Sequence, residues 1–289
     1  MTVTAVYKRE LRSYINGMTG AIFAGFVLLL AGIFMVVYNL LGLYPYFEVI
    51  LSSVSFIYML AVPVLTMRSI AEEKHSRTDQ LLYSLPMSVS SIVLAKYLAM
   101  VTVLAVPCAV MCLYPLILAS FGTVYFTTAY ASLLAFFLLG CALIAIGMFI
   151  SSLTESQVIA AVVSLAVMVF INLMSGLANL IPATSGASLA GFIAIAVIIG
   201  MIVQVMIKST VISVSVSVVL TAGCVLVYLG NPAIFEGAIP SLLSSMALFD
   251  RMSSFQNGMF DMTAIIFYLS VIALFVYLTV QSMEKKRWN

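Results

Sequence analysis

Eight long apolar segments fill this chain, and nearly every basic residue falls in the gaps that would share one side of a membrane. About 20 apolar residues suffice to cross the hydrocarbon core as a helix. A helix also satisfies its own backbone hydrogen bonds, which lipid cannot do. The segments are read as residues 18–41, 51–70, 90–120, 128–151, 156–180, 187–207, 209–229 and 261–281. Hydrophobic residues make up 64% of the 289 positions and charged residues 8%, against about 25% charged in soluble domains. The expected fold is an all-α polytopic membrane protein, one domain over residues 1–289 with about eight transmembrane helices. The alternative count is six, if the two segments flanking Lys208 form one re-entrant element. The third segment exceeds what a straight span needs, so it tilts, kinks at Pro107 or Pro115, or begins in the cytosol.

Twelve Lys and Arg residues set the orientation. Lys8, Arg9 and Arg12 precede the first segment. Arg68, Lys74, Arg77 and Lys96 surround the gap between the second and third. Lys208 separates the sixth and seventh, and Lys285, Lys286 and Arg287 follow the last; only Arg251 lies opposite. Positive residues stay inside, so both termini are expected in the cytoplasm of a cell whose plasma or inner membrane holds the chain. The first apolar run is too long for a signal-peptide core and reads as a retained anchor. Trp288, beside the terminal basic cluster, reads as an interfacial anchor. The net charge of +2 reflects this inside anchoring and gives no reason to expect a nucleic-acid partner.

Two elements are expected at the inner face. Over residues 2–15, Val3, Val6, Tyr7, Leu11 and Tyr14 recur at helical spacing while Lys8, Arg9 and Arg12 take the remaining surface. That is an interfacial helix against anionic membrane lipid. The second element is the gap from Arg68 to Lys96. Ser76 with Asp79 fits a capping pattern, Leu81, Leu82 and Leu85 form a short apolar stripe, Pro86 ends the helix, and Ser88 caps the next. A short amphipathic helix over residues 74–86 results. It is either an ordinary loop or a helix shaped to fit a groove on a soluble partner.

Catalytic and metal chemistry finds little support. His75 is the only histidine, so neither a zinc site nor an H-E-x-x-H motif can be built. Cys108, Cys112, Cys141 and Cys224 lie within apolar segments without metal or redox spacing and read as packing residues. No phosphate loop exists, so the chain does not bind ATP by that route. None of the ten acidic residues falls clearly mid-span, which disfavours a proton-driven carrier. The fifth segment has the best polar stripe: a Thr154–Gln157 capping box, then Ser164, Met168, Asn172, Ser175, Gly176 and Asn179 at helical spacing. Asn172, Ser175 and Asn179 either line a path or join two subunits. Ala21, Gly25 and Gly32 on the first segment permit close helix packing. Residues 231–260 form the only sizeable outer loop, with Leu242, Leu243, Met246 and Phe249 on one face of a short helix.

The run from Tyr7 to Tyr14, the block from Pro63 to Lys96, the stretch from Gly147 to Gln157 and the end from Phe255 to Trp288 resemble type 2 ABC transporter permeases. By eye the chain is most similar to the permeases of gliding motility and of nitrous-oxide-reductase maturation. The resemblance implies a non-catalytic transmembrane subunit, in which two permeases pair above two cytosolic ABC ATPases that hold ATP and Mg. This chain itself would bind no cofactor. The resemblance also makes the loop between the second and third spans a coupling helix, with Glu72, Glu73, Arg77, Thr78, Asp79, Leu81, Leu82 and Leu85 as the ATPase contact. Many relatives carry Gly where this chain has Arg77. By the same resemblance the first and fifth spans lie near the centre of a dimer, formed with a second copy or a similar permease. Three functions are weighed: an ATP-driven exporter subunit, a module doing conformational work on a separate extracytoplasmic accessory protein, and an ion-driven carrier.

Overall fold

The computed structural model describes residues 3–44, 46–78, 87–207 and 210–288. It is 83% helical, and no strand occurs among the described residues. Five helices are long and apolar enough to cross a membrane, or up to seven if each of two bent pairs counts as one span. The chain is an integral multi-pass membrane protein. The expected all-α polytopic membrane fold is what the structure has, and the alternative count of six lies within that range.

The helices are α1 (Val3–Asn16), α2 (Thr19–Phe34), α3 (Phe47–Ser55), α4 (Tyr58–Thr66), α5 (Ala71–His75), α6 (Val89–Met111), α7 (Tyr114–Leu118), α8 (Phe126–Leu153), α9 (Gln157–Leu180), α10 (Ser185–Ile207), α11 (Thr210–Gly230), α12 (Ala238–Met246), α13 (Ser253–Gln256) and α14 (Met262–Trp288). A π-helical stretch, Met35–Leu41, prolongs α2. Contacts divide the chain into one unit of residues 1–170 with 248–289 and a second of residues 171–247.

In the first unit α8 is the hub: α3, α4, α6 and α14 all pack on it, and most of its residues are buried. Gly140 and Gly147, seven residues apart on α8, allow the close approach. A Cβ on Gly140 would stand 3.2 Å from the Tyr58 ring, and one on Gly147 would stand 3.0 Å from Thr66 Cβ. Small residues are the usual means by which membrane helices meet. Tyr58 stacks on Phe136 at 4.4 Å between centroids. Tyr97 donates its hydroxyl to the Cys141 carbonyl at 3.2 Å, tying α6 to α8. Cys108 and Cys141 are buried thiols within this packing.

The second segment departs from a continuous span. α3 and the helix that follows it meet at 55°. Ser53 and Ser55 donate to the Val49 and Ser52 carbonyls just before the break, and such back-bonding bends helices. In the third segment Pro115 has no N–H for the Met111 carbonyl, and α6 ends at Met111. Ser88 caps α6 as expected, its hydroxyl accepting from the Ser91 amide. The cap of α9 differs from expectation: Ser156 Oγ accepts from the Ile159 amide at 3.5 Å, while Thr154 turns locally onto Ser156. Asp261 caps α14 through the Thr263 amide at 2.9 Å.

In the second unit α10 packs on α11 and on α12. A 119° bend separates the end of α11 from residues 232–246. The expected outer helix forms as Ala238–Met246, and Phe249 lies beyond its end. Ile239 fits against Gly191, where a Cβ would stand 2.9 Å from Ile239 Cγ1.

Candidate functional site

The gap between the second and third segments begins with α5, five residues long, and its ends explain how it is held. No residue of α5's own start caps it. Instead Ser151, in the last turn of α8, accepts from the Ile70 and Ala71 amides at 3.3 and 3.1 Å and donates to the Met67 carbonyl at 3.3 Å. At the other end of α5, Lys74 is buried and donates to the Ser152 carbonyl at the C-terminus of α8, where a cation also meets the negative end of the helix dipole. Ser282 of α14 reaches the same carbonyl at 3.4 Å.

α5 closes in a Schellman motif. The Thr78 amide bonds Glu73 O at 2.9 Å, and the Arg77 amide bonds Lys74 O at 3.2 Å. The motif requires a left-handed residue between them. Arg77 occupies it with φ of +55°, a conformation most natural to Gly. Ser76 donates to Glu72 O at 2.8 Å, so it closes the helix before it. Asp79, its expected capping partner, lies outside the described residues. Residues 74–75 therefore end α5 and residues 76–78 form the turn. Leu81, Leu82 and Leu85 lie outside the described residues with Asp79.

The strongest polar grouping lies on the face of α5 turned to α1 and α6. Lys96, two turns into α6, is 2% exposed. Its ammonium donates to Glu73 Oε1 at 2.7 Å and to the Ser69 carbonyl at 3.0 Å, and it pairs with Glu10 Oε2 at 3.3 Å. Arg9 closes the ring, with Nη2 at 2.7 Å from Glu10 and 3.3 Å from Glu73. Two cations and two carboxylates thus balance where α1, α5 and α6 meet. Burial pushes the Glu73 carboxyl above its ordinary value, and the Lys96 and Arg9 charges pull it only partway back. Glu73 Oε2 is buried and finds no donor among the described residues. Beside the ring, Arg68 grips Glu72 with two bonds of 2.8 Å. That grip holds the Glu72 carboxyl below its ordinary value. A recess of about 610 Å³ opens here, with Arg9, Arg68, Glu72, Glu73 and Lys96 in its wall.

Of the residues singled out from sequence, Glu72, Glu73, Arg77 and Thr78 come together here, and Arg9 joins them from α1. Lys8 and Arg12 point away on the exposed side of α1. Sequence reasoning missed Lys96, Glu10, Lys74, Ser151 and Ser152 as members. A signal existed for Lys96: a lysine inside an otherwise apolar segment calls for a partner. Nothing in the sequence pointed to Ser151. Among the described residues no three His, Cys, Asp or Glu are grouped to hold a metal ion.

The expected path or interface residues are spread out. The buried face of α2 is Phe23, Val27, Ala31 and, beyond its end, Met35. Gly25 is exposed with open space around it, and Gly32 faces the Tyr114 hydroxyl, 3.9 Å from where a Cβ would sit. On α9, Ser164 and Met168 are buried in the first unit. In the second unit Asn172 and Ser175 are half-buried and Asn179 is exposed.

A family model described as ABC-2 family transporter protein matches residues 38–231, 194 of the 289 positions. That stretch contains α5, the Schellman turn and Lys96, and stops short of α1 and α14. No curated protein matches the chain.

Proposed function

The chain belongs to the ABC-2 transporter family and is a membrane subunit of an ABC transporter, and we propose on that premise that residues 72–85 couple it to a cytosolic ATPase. Family membership implies association with an ABC ATPase and dimerisation in general. The finer reading is a homodimer, or a pair with a similar permease, above two ATPases that hold ATP and Mg. Both termini and α5 face the cytoplasm of the plasma or inner membrane. Glu72, Glu73, Arg77, Thr78, Asp79, Leu81, Leu82 and Leu85 form the contact, and export is the direction of transport.

The observation that carries this reading is how the base of the loop is anchored. α5 is clamped to α8 through Ser151 and Lys74 and to α1 and α6 through the Lys96 ring. A push on residues 79–86 would therefore reach three elements of the bundle rather than bend a slack loop. Gly25, Gly32, Asn172, Ser175 and Asn179, exposed or half-buried, are the residues proposed to line a central path or meet a second permease. The energy comes from the partner, since the chain has no phosphate loop.

Co-purification with candidate ATPases, followed by an ATPase assay, tests the reading. Leu81→Asp with Leu85→Asp should abolish complex formation while membrane insertion remains. An ATPase that binds the double variant as well as it binds the wild type overturns the assignment.

A further inference from the structure

We propose that a recess in the second unit, between α10, α11 and the turn that follows α11, binds one acyl chain of a membrane lipid. The recess measures about 390 Å³, and no side chain in its wall carries a nitrogen or oxygen atom. Its floor is a notch in α11. Val219, Gly223 and Val227 follow one another at one-turn spacing, with Leu220 and Cys224 beside them, so small residues lie between bulky ones. A Cβ on Gly223 would meet no atom within 4 Å, so no part of the protein fills the notch. The opposite wall comes from a reversal of the chain. Pro232 has no N–H for the Tyr228 carbonyl, and α11 ends at Gly230. Asn231 accepts from the Ala233 amide at 3.3 Å, the path bends by 119°, and Ile234 and Phe235 return to face the notch. Phe235 is held edge-on against Phe192 at 5.6 Å and Tyr228 at 5.7 Å.

Depth selects the occupant. α11 is an unbroken helix of 21 residues, of which Val219 is the tenth and Val227 the eighteenth. A helix of that length runs about 31 Å, the thickness of a hydrocarbon core of about 30 Å. The notch therefore lies at hydrocarbon depth, between the middle of α11 and its last turn. Water finds no polar partner in such a wall. An unfilled recess would deny its lining the dispersion contacts that close packing supplies. The material that can fill it at that depth is an aliphatic chain. Transfer from water does not drive the fit, because lipid outside the recess is equally apolar. Shape does, through the notch at Gly223 and the fixed ring of Phe235. The outer face of α9 is the contrast: Val158 and Val162, one turn apart, stand 71% and 60% exposed, with bulky side chains in successive turns. The site needs neither an ATPase nor a direction of transport, so its failure and that of the coupling assignment are separable.

The test uses the full chain in nanodiscs of phosphatidylcholine, a small fraction of which carries a diazirine near the end of one acyl chain. After illumination, peptide mass spectrometry compares adducts on α11 and residues 231–238 with adducts on the face of α9 around Val158 and Val162. The α11 yield should exceed the α9 yield severalfold. Gly223→Leu fills the notch, and the open space there lets the variant fold, with a better helix former than glycine. It should bring the α11 yield down to the α9 level without lowering the melting temperature, while Gly223→Ala keeps most of the yield. The same diazirine chain on phosphatidylglycerol should label α11 equally, because the wall offers nothing to a headgroup. Equal yields on α11 and α9 in the wild type overturn the site. So does a preference that Gly223→Leu leaves intact, or one confined to a single headgroup. Adducts present in the monomeric fraction and lost in the dimeric one would assign the recess to a second copy of the chain and also overturn it.

Discussion

Lys96 and Glu73 form a 2.7 Å ion pair in which the lysine is 2% exposed and the carboxylate 15%. The pair joins a membrane-spanning helix to the five-residue helix that leads into the proposed coupling segment. Removing one partner of such a pair leaves an uncompensated buried charge, which destabilises by about 3–5 kcal/mol. Lys96→Met should therefore lower thermal stability in detergent sharply. Lys96→Met with Glu73→Gln should recover part of the loss, with a coupling energy of about 0.5–3 kcal/mol. A double variant whose loss equals the sum of the two single losses would show that the pair is not energetically joined.

The same carboxylate sets a pH dependence. Glu73 is held above the ordinary 4.5 by burial, with Glu10 adding to the rise and Lys96 and Arg9 opposing it. A carboxyl raised in the folded state contributes stability that is complete below 4.5 and is lost as pH rises through the raised value. Glu72, lowered by Arg68, has the reverse sign: its contribution is present above 4.5 and is lost as pH falls through the lowered value. Glu72 and Arg68 are 42% and 39% exposed, so solvent screening keeps their share small. Melting temperatures followed across roughly pH 4 to 8 should show a loss of stability with rising pH that Glu73→Gln flattens. A wild-type minus Glu73→Gln difference that stays constant with pH would refute this.

Most of the spans were legible because lipid imposes one demand on every crossing segment, and length with apolarity reports it directly. The breaks were not. The bend after Ser55 depends on serine hydroxyls turning back onto carbonyls, which composition does not reveal. The orientation rule treats Lys96 as one more inside charge. It says nothing of the fact that α1 delivers Glu10 and α5 delivers Glu73 to the same ammonium. Ser151 was illegible for a different reason: it caps a helix 80 residues away in sequence. The turn at Arg77 was partly legible. Resemblance pointed to Gly, and the backbone explains why.

The crossing of α4 and α8 at Gly147 leaves no room for a larger residue. A Cβ there would sit 3.0 Å from both Thr66 Cβ and Cγ2 and nearer still to Oγ1. Thr66 cannot yield easily, because it is fully buried and its hydroxyl is bonded to Val62 O at 3.0 Å. Gly147→Val should overpack the crossing and destabilise by about 1–3 kcal/mol. Thr66→Ala should relieve part of that in the double variant, read as a melting temperature above that of Gly147→Val alone. A Gly147→Val protein as stable as the wild type would mean that the helices are not in close contact there.

Arg77 supplies the last test, because its backbone conformation separates two substitutions by sign. The left-handed region disfavours a non-glycine residue by about 1–2 kcal/mol. Glycine removes that strain but gives freedom to the unfolded chain. Arg77→Gly should therefore be neutral or stabilising by up to about 1 kcal/mol. Arg77→Val adds branching at Cβ where φ is +55° and should destabilise relative to the wild type. Thr78 N to Glu73 O and Arg77 N to Lys74 O are the bonds at stake, so amide hydrogen exchange at residues 77 and 78 should speed up in the valine variant and not in the glycine variant. If the turn belongs to the coupling element, ATPase stimulation by the assembled complex should follow the same order. Equal exchange in both variants would mean that the backbone at Arg77 is not held in the left-handed region.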